Sequence, residues 1–489
     1  MDATRKSERP AARGGRLIVL SNRAPYSPIT IDGKLEGWAP AVGGLTAALD
    51  PVLRERGGTW IAWGEGHESV ESVTLPPQQP RYRLQRLRLS SDEVRLHYHG
   101  LANGALWPLS HYFLEHARYR QEEWLAYERV NRRFAQAALA EHEPGDTVWV
   151  HDYHLALVPG MLRAATRGAA IGFFWHVPWP APEVFRTFPW ARELLEGLLG
   201  ADLIGVHTEE YQRNLAGCCR AVLGREWDGE AVLHRGRRVR IEVRPIGVEA
   251  AALERLGRDP QVLEAARRIR EQVGTRILLG VDRLDYSKGI PERLQAYAEH
   301  LGTHPESRGR VTLVQVAVPS RESVSAYRDL REQVEGLVGR INGSYGGNGW
   351  APVHYHYRSL GQRDLAAHYA AADAMLVTPL RDGLNLVAKE FACVSRGGAL
   401  VLSEFAGAAS ELPQATLVNP YDREGAAERI AAALAMPLRE RARRLAGMKA
   451  HLLRHDLSRW AGEYLESLAG GRGGTLPGRA WTALEWGAA

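Results

Sequence analysis

Three cysteines in 489 residues leave no room for a disulfide framework: Cys218 and Cys219 are adjacent and Cys393 stands alone. No C-x-x-C or Cys/His cluster has the spacing of a zinc site, so no metal is expected. Lysine is nearly as scarce. Of 62 Lys plus Arg, only Lys6, Lys34, Lys288, Lys389 and Lys449 are lysines, so a lysine inside a motif carries information. A run of about 18 uncharged apolar residues is absent, which excludes a membrane-spanning helix. The start, residues 1–15, is polar and basic and lacks the apolar stretch of a secretory signal; a reducing cytoplasm is the expected location. Charge of one sign is lacking too, with 62 basic against 57 acidic side chains and a net charge of +5. The pI near 9.1 has no basic stripe with interleaved aromatics behind it, and nucleic acid is not an expected partner. A G-x-G-x-x-G after a strand and a Walker lysine are both missing, so the classical dinucleotide and P-loop readings fall away.

What is present is a soluble globular balance, 45% hydrophobic and 24% charged, long enough for two large α/β units. Short apolar runs recur at Leu17–Leu20, Thr59–Trp63, Thr147–Val150, Ala170–Trp175, Leu203–Val206 and Val239–Pro245. They restart at Arg276–Val281, Val311–Val316, Val353–Tyr357, Ala374–Thr378 and Ala399–Ser403. Helical stretches lie between them, beginning with Leu45–Leu53. Such alternation predicts βαβ units and a doubly wound parallel sheet in each of two Rossmann-like domains. The expected organisation is a loose basic tail (1–15), a first domain (16–247), and a second domain (248–456) opening on a charged helix at Glu249–Val273. A helix at 457–469 is expected to cross back to the first domain, followed by a Gly-rich tail (470–489). The segment between Arg23 and Gly43 reads as a loop rich in Pro and Gly.

Ligands of parallel sheets bind beyond the carboxyl ends of the strands, and the notable polar residues sit there. Arg23 follows the first run, His151-Asp152-Tyr153-His154 the third and His176 the fourth. Arg283, Lys288, Arg321 and Asp382 follow runs of the second half. In Thr378–Glu390 a strand enters a turn at Gly383 and a helix begins near Leu384. The free N–H groups around Gly383, Leu384, Asn385 and Leu386 suit a phosphate or a sugar hydroxyl. Asp382 before that helix and Glu390 inside it, roughly 12 Å apart along the axis, suit the two ends of a nucleotide-sugar; the plainer alternative makes Asp382 the helix N-cap. Arg283 and Lys288 share one loop and could neutralise a pyrophosphate without a metal. Gly43 and Gly44 precede a helix and form a third candidate phosphate cradle. Trp63, Tyr98 and Trp107 read either as core aromatics or as platforms for a sugar.

The stretches SNRAPY, VGGLTAAL, ALWPLSHY, VWVHDYHL, GFFWHVPWPAPEVF, VDRLDYSKGIPERL, VPSRESV, GRINGSYG, TPLRDGLNLVAKEF and LSEFAGAASEL occur in one order. In them the chain resembles retaining glycosyltransferases of the two-Rossmann-domain (GT-B) type, in particular the trehalose-6-phosphate synthase family, over Leu17–Leu468. The resemblance implies two domains facing a central cleft and anomer-retaining transfer of glucose from a nucleotide-glucose to glucose 6-phosphate. No covalent enzyme intermediate and no cofactor is implied. It assigns Gly44, Arg283 and Lys288 to the donor pyrophosphate, Asp382 to the donor glucose, Glu390 to the ribose and His176 to the donor 6-hydroxyl. Arg23, Tyr98 and Arg321 fall to the acceptor phosphate, and Trp107, Asp152 and Trp63 to the acceptor sugar. A homo-oligomer, dimer or tetramer, is expected. UDP, ADP and GDP donors stay open, as does glycerol 3-phosphate as acceptor, the glucosylglycerol-phosphate synthase alternative. Intact Arg283, Lys288, Asp382 and Glu390 speak against a pseudo-glycosyltransferase or a non-catalytic sugar-phosphate sensor. Trp175 and Trp179 make the His176 segment bulkier than in common members of the family.

Overall fold

The computed structural model describes residues 15–31, 34–40, 44–64, 72–166, 168–321 and 324–470. The basic start, Gly43 and the Gly-rich tail beyond residue 470 lie outside the described residues.

Two sheets carry the molecule. The first has nine strands, in the order Ala231–His234, Arg237–Val243, Leu203–Val206, Ala170–Phe174, Thr147–His151, Leu17–Arg23, Thr59–Trp63, Tyr82–Leu87 and Ser72–Leu75. The second has six: Val353–Tyr357, Val311–Val318, Arg276–Arg283, Ala374–Val377, Ala399–Ser403 and Thr416–Val418. Inner strands such as Leu203–Val206, Ala170–Phe174 and Ala399–Ser403 are buried along their whole length. Helices cover both faces, which is why these strands read as unbroken apolar runs.

The structure differs from the sequence reading at the margins. The first sheet is not wholly parallel: both of its edge strands pair antiparallel with their neighbours. The segment read as a loop after Arg23 contains a hairpin, Tyr26–Ile31 against Lys34–Pro40. Its Pro28, Gly37 and Pro40 mimic loop punctuation. The single helix expected over Glu249–Val273 is two, Ala250–Leu256 and Pro260–Val273; Asp259 caps the second through the Gln261 amide at 2.8 Å, and Pro260 occupies its first turn. Val94–Leu106 is an unusually long π-helix, entered through a capping box between Ser90 and Glu93.

The final helix, Leu457–Gly470, returns to the first sheet. Tyr464 donates its hydroxyl to the carbonyls of Phe173 and Leu203, at 2.9 and 3.0 Å, and stacks on Trp149. Gly172 and Gly205 make that approach possible: a Cβ on either would lie within 3.0 Å of the tyrosine. No helix among the described residues is long and apolar enough to cross a membrane.

Candidate active site between the two sheets

On the second-sheet side, the strand Arg276–Arg283 ends in a turn at Tyr286–Lys288, and the strand Ala374–Val377 leads to Asp382. Lys288 Nζ donates to Asp382 Oδ2 at 2.6 Å, and both side chains are buried. Asn385 Nδ2 donates to the same oxygen at 2.9 Å. Burial would raise the Asp382 carboxyl, but Lys288 outweighs it and holds it below the ordinary carboxylate range. A lysine ammonium has three donors, so this pairing leaves Lys288 able to reach a second anion. The helix N-cap is Asn385, not Asp382. Asn385 adopts a left-handed backbone (φ 79°), accepts from the Ala388 amide at 3.2 Å, and the helix runs Leu386–Val394. Freed from capping, Asp382 points its carboxylate at Lys288. The amides of Gly383, Leu384 and Asn385 have no backbone acceptor among the described residues, the condition for a backbone anion cradle.

Gly383 also touches the first half of the molecule. A Cβ there would lie 2.2 Å from the carbonyl oxygen of His176. Tyr211 donates to the Asp382 carbonyl at 3.1 Å, and Arg381 pairs with Glu210 at 2.7 Å. These contacts bring His176 and Asp382 to one place. Burial pulls the His176 imidazole down to about 3, so it is neutral at working pH. His176 Nε2 and His151 Nδ1 lie 3.0 Å apart and share one proton position. Asp152 accepts from the His176 amide at 3.2 Å and has a positive φ of 74°; burial pushes its carboxyl up to about 7. Trp175 and Trp179, bulky in sequence, are fully buried with rings 4.6 Å apart, and they back the site rather than fill it.

The acceptor-side candidates form a second cluster. Arg23, the last residue of its strand, donates to Tyr98 Oη at 2.8 Å. Tyr98 projects from the π-helix against Trp63, ring centroids 5.7 Å apart. Arg321 and Arg283 lie 4.3 and 5.4 Å from the Trp107 ring centroid. Arg321 has a left-handed backbone (φ 48°) and pairs with Asp285 at 3.0 Å. Arg23 and Arg283 have no ion-pair partner among the described residues. The electrostatic result is visible at Tyr98. Burial would raise its phenol, yet Arg23, Arg321 and Arg283 together hold it below its ordinary value. Five buried side-chain atoms in or beside this cluster have no hydrogen-bond partner: both amide atoms of Asn22, Trp107 Nε1, His154 Nδ1 and Arg321 Nε.

Glu390 stands apart, on the helix Leu386–Val394. It accepts from Tyr369 Oη at 3.0 Å, and burial pushes its carboxyl up to about 7. Gly44 begins the helix Gly44–Arg56, Leu384 is buried and Leu386 half-buried. The structure thus brings Arg23, Trp63, Tyr98, Trp107, Arg283 and Arg321 into one cluster, and Lys288, Asp382, Gly383, Asn385, His176 and Asp152 into an adjoining one. Sequence reading singled out neither Asp285 nor Tyr327, which hold Arg321 from behind; His151 was noted only as part of its strand-end run, and the structure pairs it with His176. Asp285 had a signal, a D-Y-S turn two residues after Arg283; Tyr327 had none.

The chain is 44% identical over 466 residues to the trehalose-6-phosphate synthase of Mycolicibacterium paratuberculosis, covering 92% of this chain and 95% of that protein. Among solved structures it resembles an alpha,alpha-trehalose-phosphate synthase (UDP-forming) of Burkholderia xenovorans in complex with glucose-6-phosphate. The TM-score is 0.86 at 36% identity, over 93% of this chain and 100% of that one. A structure from E. coli bound with UDP-2-fluoro glucose matches with a TM-score of 0.85 at 35% identity, over 93% and 99% of the two chains. The architecture is therefore the two-sheet GT-B form. The family model of glycosyltransferase family 20 matches residues 15–470, and with the relatives above it establishes that the chain belongs to that family and is a glycosyltransferase.

Proposed function

We propose that this enzyme transfers glucose from UDP-glucose to glucose 6-phosphate with retention at the anomeric carbon, giving trehalose 6-phosphate and UDP. The observation that supports the reading is the triple-arginine cluster: Arg23 bonds Tyr98, Arg283 and Arg321 lie over Trp107, and together they depress a buried phenol. Such a surplus of guanidinium beside aromatic faces suits a sugar phosphate, with the forked donors on phosphate oxygens and the rings against the sugar. The relatives' names supply the same two substrates: a UDP-forming synthase holding glucose-6-phosphate and a structure holding a UDP-glucose analogue.

On the donor side, Arg283, Lys288 and the amides at Gly383–Asn385 face the diphosphate, with the start of the helix at Gly44 contributing backbone. Asp382 Oδ1, which has no donor among the described residues, accepts glucose hydroxyls. His176 holds the 6-hydroxyl as a neutral imidazole and Glu390 takes the ribose. The acceptor's anomeric oxygen attacks on the face from which UDP leaves. The glucosyl C–O bond to the phosphate breaks as the new one forms, and the acceptor proton passes to the departing phosphate oxygen. The protein contributes charge stabilisation on that phosphate and orientation of the acceptor, and none of the residues in the site is assigned as a nucleophile. The domain division at about residue 247, a homo-oligomeric state and a cytoplasmic location complete the reading.

The test is nucleotide release from UDP-, ADP- and GDP-glucose with glucose 6-phosphate or glycerol 3-phosphate. Release from UDP-glucose stimulated by glucose 6-phosphate, with a non-reducing disaccharide phosphate formed, is the expected outcome. Release stimulated only by glycerol 3-phosphate overturns the acceptor assignment and keeps the donor site.

A further inference from the structure

Asp285 lies between the two cationic residues of the donor loop and is completely buried. An acidic group there looks misplaced, because it spends charge that phosphates would use. Its two carboxylate oxygens face different parts of the site. Oδ1 accepts from the Ser287 amide at 3.0 Å, and the Asp285 carbonyl accepts from the Lys288 amide at 3.0 Å; together they shape the turn that carries Lys288. The Ser287 carbonyl in turn accepts from the Leu380 amide at 2.8 Å, tying that turn to the segment that carries Asp382. Oδ2 accepts from Arg321 Nη1 and from Tyr327 Oη, both at 3.0 Å, and Arg321 also donates to Tyr327. Arg321 sits on a loop with a left-handed backbone, so its guanidinium takes its direction from this carboxylate and from the Trp107 face.

We infer that Asp285 is a positioning residue that couples the two subsites, so that nucleotide bound beside Lys288 strengthens the binding of sugar phosphate beside Arg321. The inference rests on the function proposed above. A carboxylate is a rigid plane: a shift of the Lys288 turn toward a diphosphate moves Oδ1, and with it Oδ2 and the arginine it holds. Charge neutralisation alone would act differently. It would change acceptor affinity by the same factor with and without nucleotide, whereas coupling is a ratio of affinities and must appear reciprocally in both ligands.

The experiment is calorimetric titration of glucose 6-phosphate into the full-length protein with and without saturating UDP, repeated for Asp285→Asn and Tyr327→Phe. Asp285→Asn keeps an oxygen for the Ser287 amide but removes the charge that holds Arg321; Tyr327→Phe removes one hydroxyl and tests the same contact with less risk to folding. In the native protein UDP strengthens glucose 6-phosphate binding about fivefold or more, and glucose 6-phosphate strengthens UDP binding by the same factor. In Asp285→Asn the factor falls to near one while UDP alone binds within about threefold of native, and Tyr327→Phe gives an intermediate factor. A native factor of one, or an unchanged factor in folded variants, overturns the inference while leaving the function intact. If Asp285→Asn does not fold, Tyr327→Phe decides by itself. Failure of the native protein to bind glucose 6-phosphate at all overturns both.

Discussion

The two halves of the active site solve the problem of holding an anion in opposite ways. At the heart of the donor side the charge is already paired: Lys288 is bonded to Asp382, Asp382 to Asn385, and all three are buried; only Arg283, exposed at its edge, has no ion-pair partner among the described residues. On the acceptor side charge is left in surplus. Arg23 lacks an acidic partner among the described residues, Arg321 shares one carboxylate, Asp285, with Tyr327, and Arg283 leans over from the donor loop onto the Trp107 ring that Arg321 also covers. A paired lysine keeps a fixed position and spare donors, which suits a diphosphate whose charge grows during bond breaking. A surplus of stacked guanidinium attracts a phosphate that stays unchanged through the reaction, so its benefit is in binding.

The sharpest way to break this contrast is Lys288→Ala. Loss of a preorganised charge should lower kcat by about 10²–10³, with little change in the glucose 6-phosphate KM; steady-state kinetics beside a thermal melt check it, and near-native kcat in a folded variant would remove Lys288 from the mechanism. Arg321→Ala should do the reverse. With a hydrogen bond to a charged group worth about 1.5–3 kcal/mol, the acceptor KM should rise roughly 10- to 100-fold and the donor KM far less; equal damage to both means the subsites are confused. Tyr98→Phe removes only the hydroxyl that receives Arg23, and the acceptor KM should rise by roughly 2- to 10-fold on the scale of a single hydrogen bond. The smallest effect is one of pH. Burial lifts Glu390 to about 7, so it is protonated below and ionised above that value. Ribose hydroxyls donate more strongly to the ionised form; the donor KM should fall a few-fold between about pH 6 and 8. Glu390→Gln should flatten the profile, and a profile unchanged by that substitution would detach Glu390 from the ribose.

Arg23, Asp152, His176, Arg283 and Asp382 stood out in the sequence because each lies at or just beyond the carboxyl end of an apolar run, and the structure makes those runs strands; Tyr98, Trp107 and Glu390 lie on helices and had no such signal. Lys288, Lys389 and Lys449 each hold a specific partner, respectively Asp382, Glu411 with the Ile246 carbonyl, and the Ser395 carbonyl. The pairing of Lys288 with Asp382 was not readable, because it depends on two loops 94 residues apart meeting. The π-helix that presents Tyr98 was hidden for another reason. Gly100, Asn103 and Gly104 have weak helical preference, and the turn is held by side-chain bonds, one within it from Asn103 Nδ2 to the Tyr98 carbonyl and one long-range from Tyr153 Oη to Asn103 Oδ1. The edge strand Ser72–Leu75 and its neighbour Tyr82–Leu87 alternate in burial and lack the unbroken apolar signature of the inner strands.

The returning helix Leu457–Gly470 has a bearing on how the protein is made. Tyr464 completes hydrogen bonds on strands laid down as many as 291 residues earlier, and its ring fills space that Gly172 and Gly205 leave vacant. During synthesis the nine-stranded sheet therefore emerges with an apolar strip bare around Trp149 and Phe174, and it stays bare until the second sheet has been translated. Folding here cannot finish domain by domain in the order of translation; the half made first is sealed last.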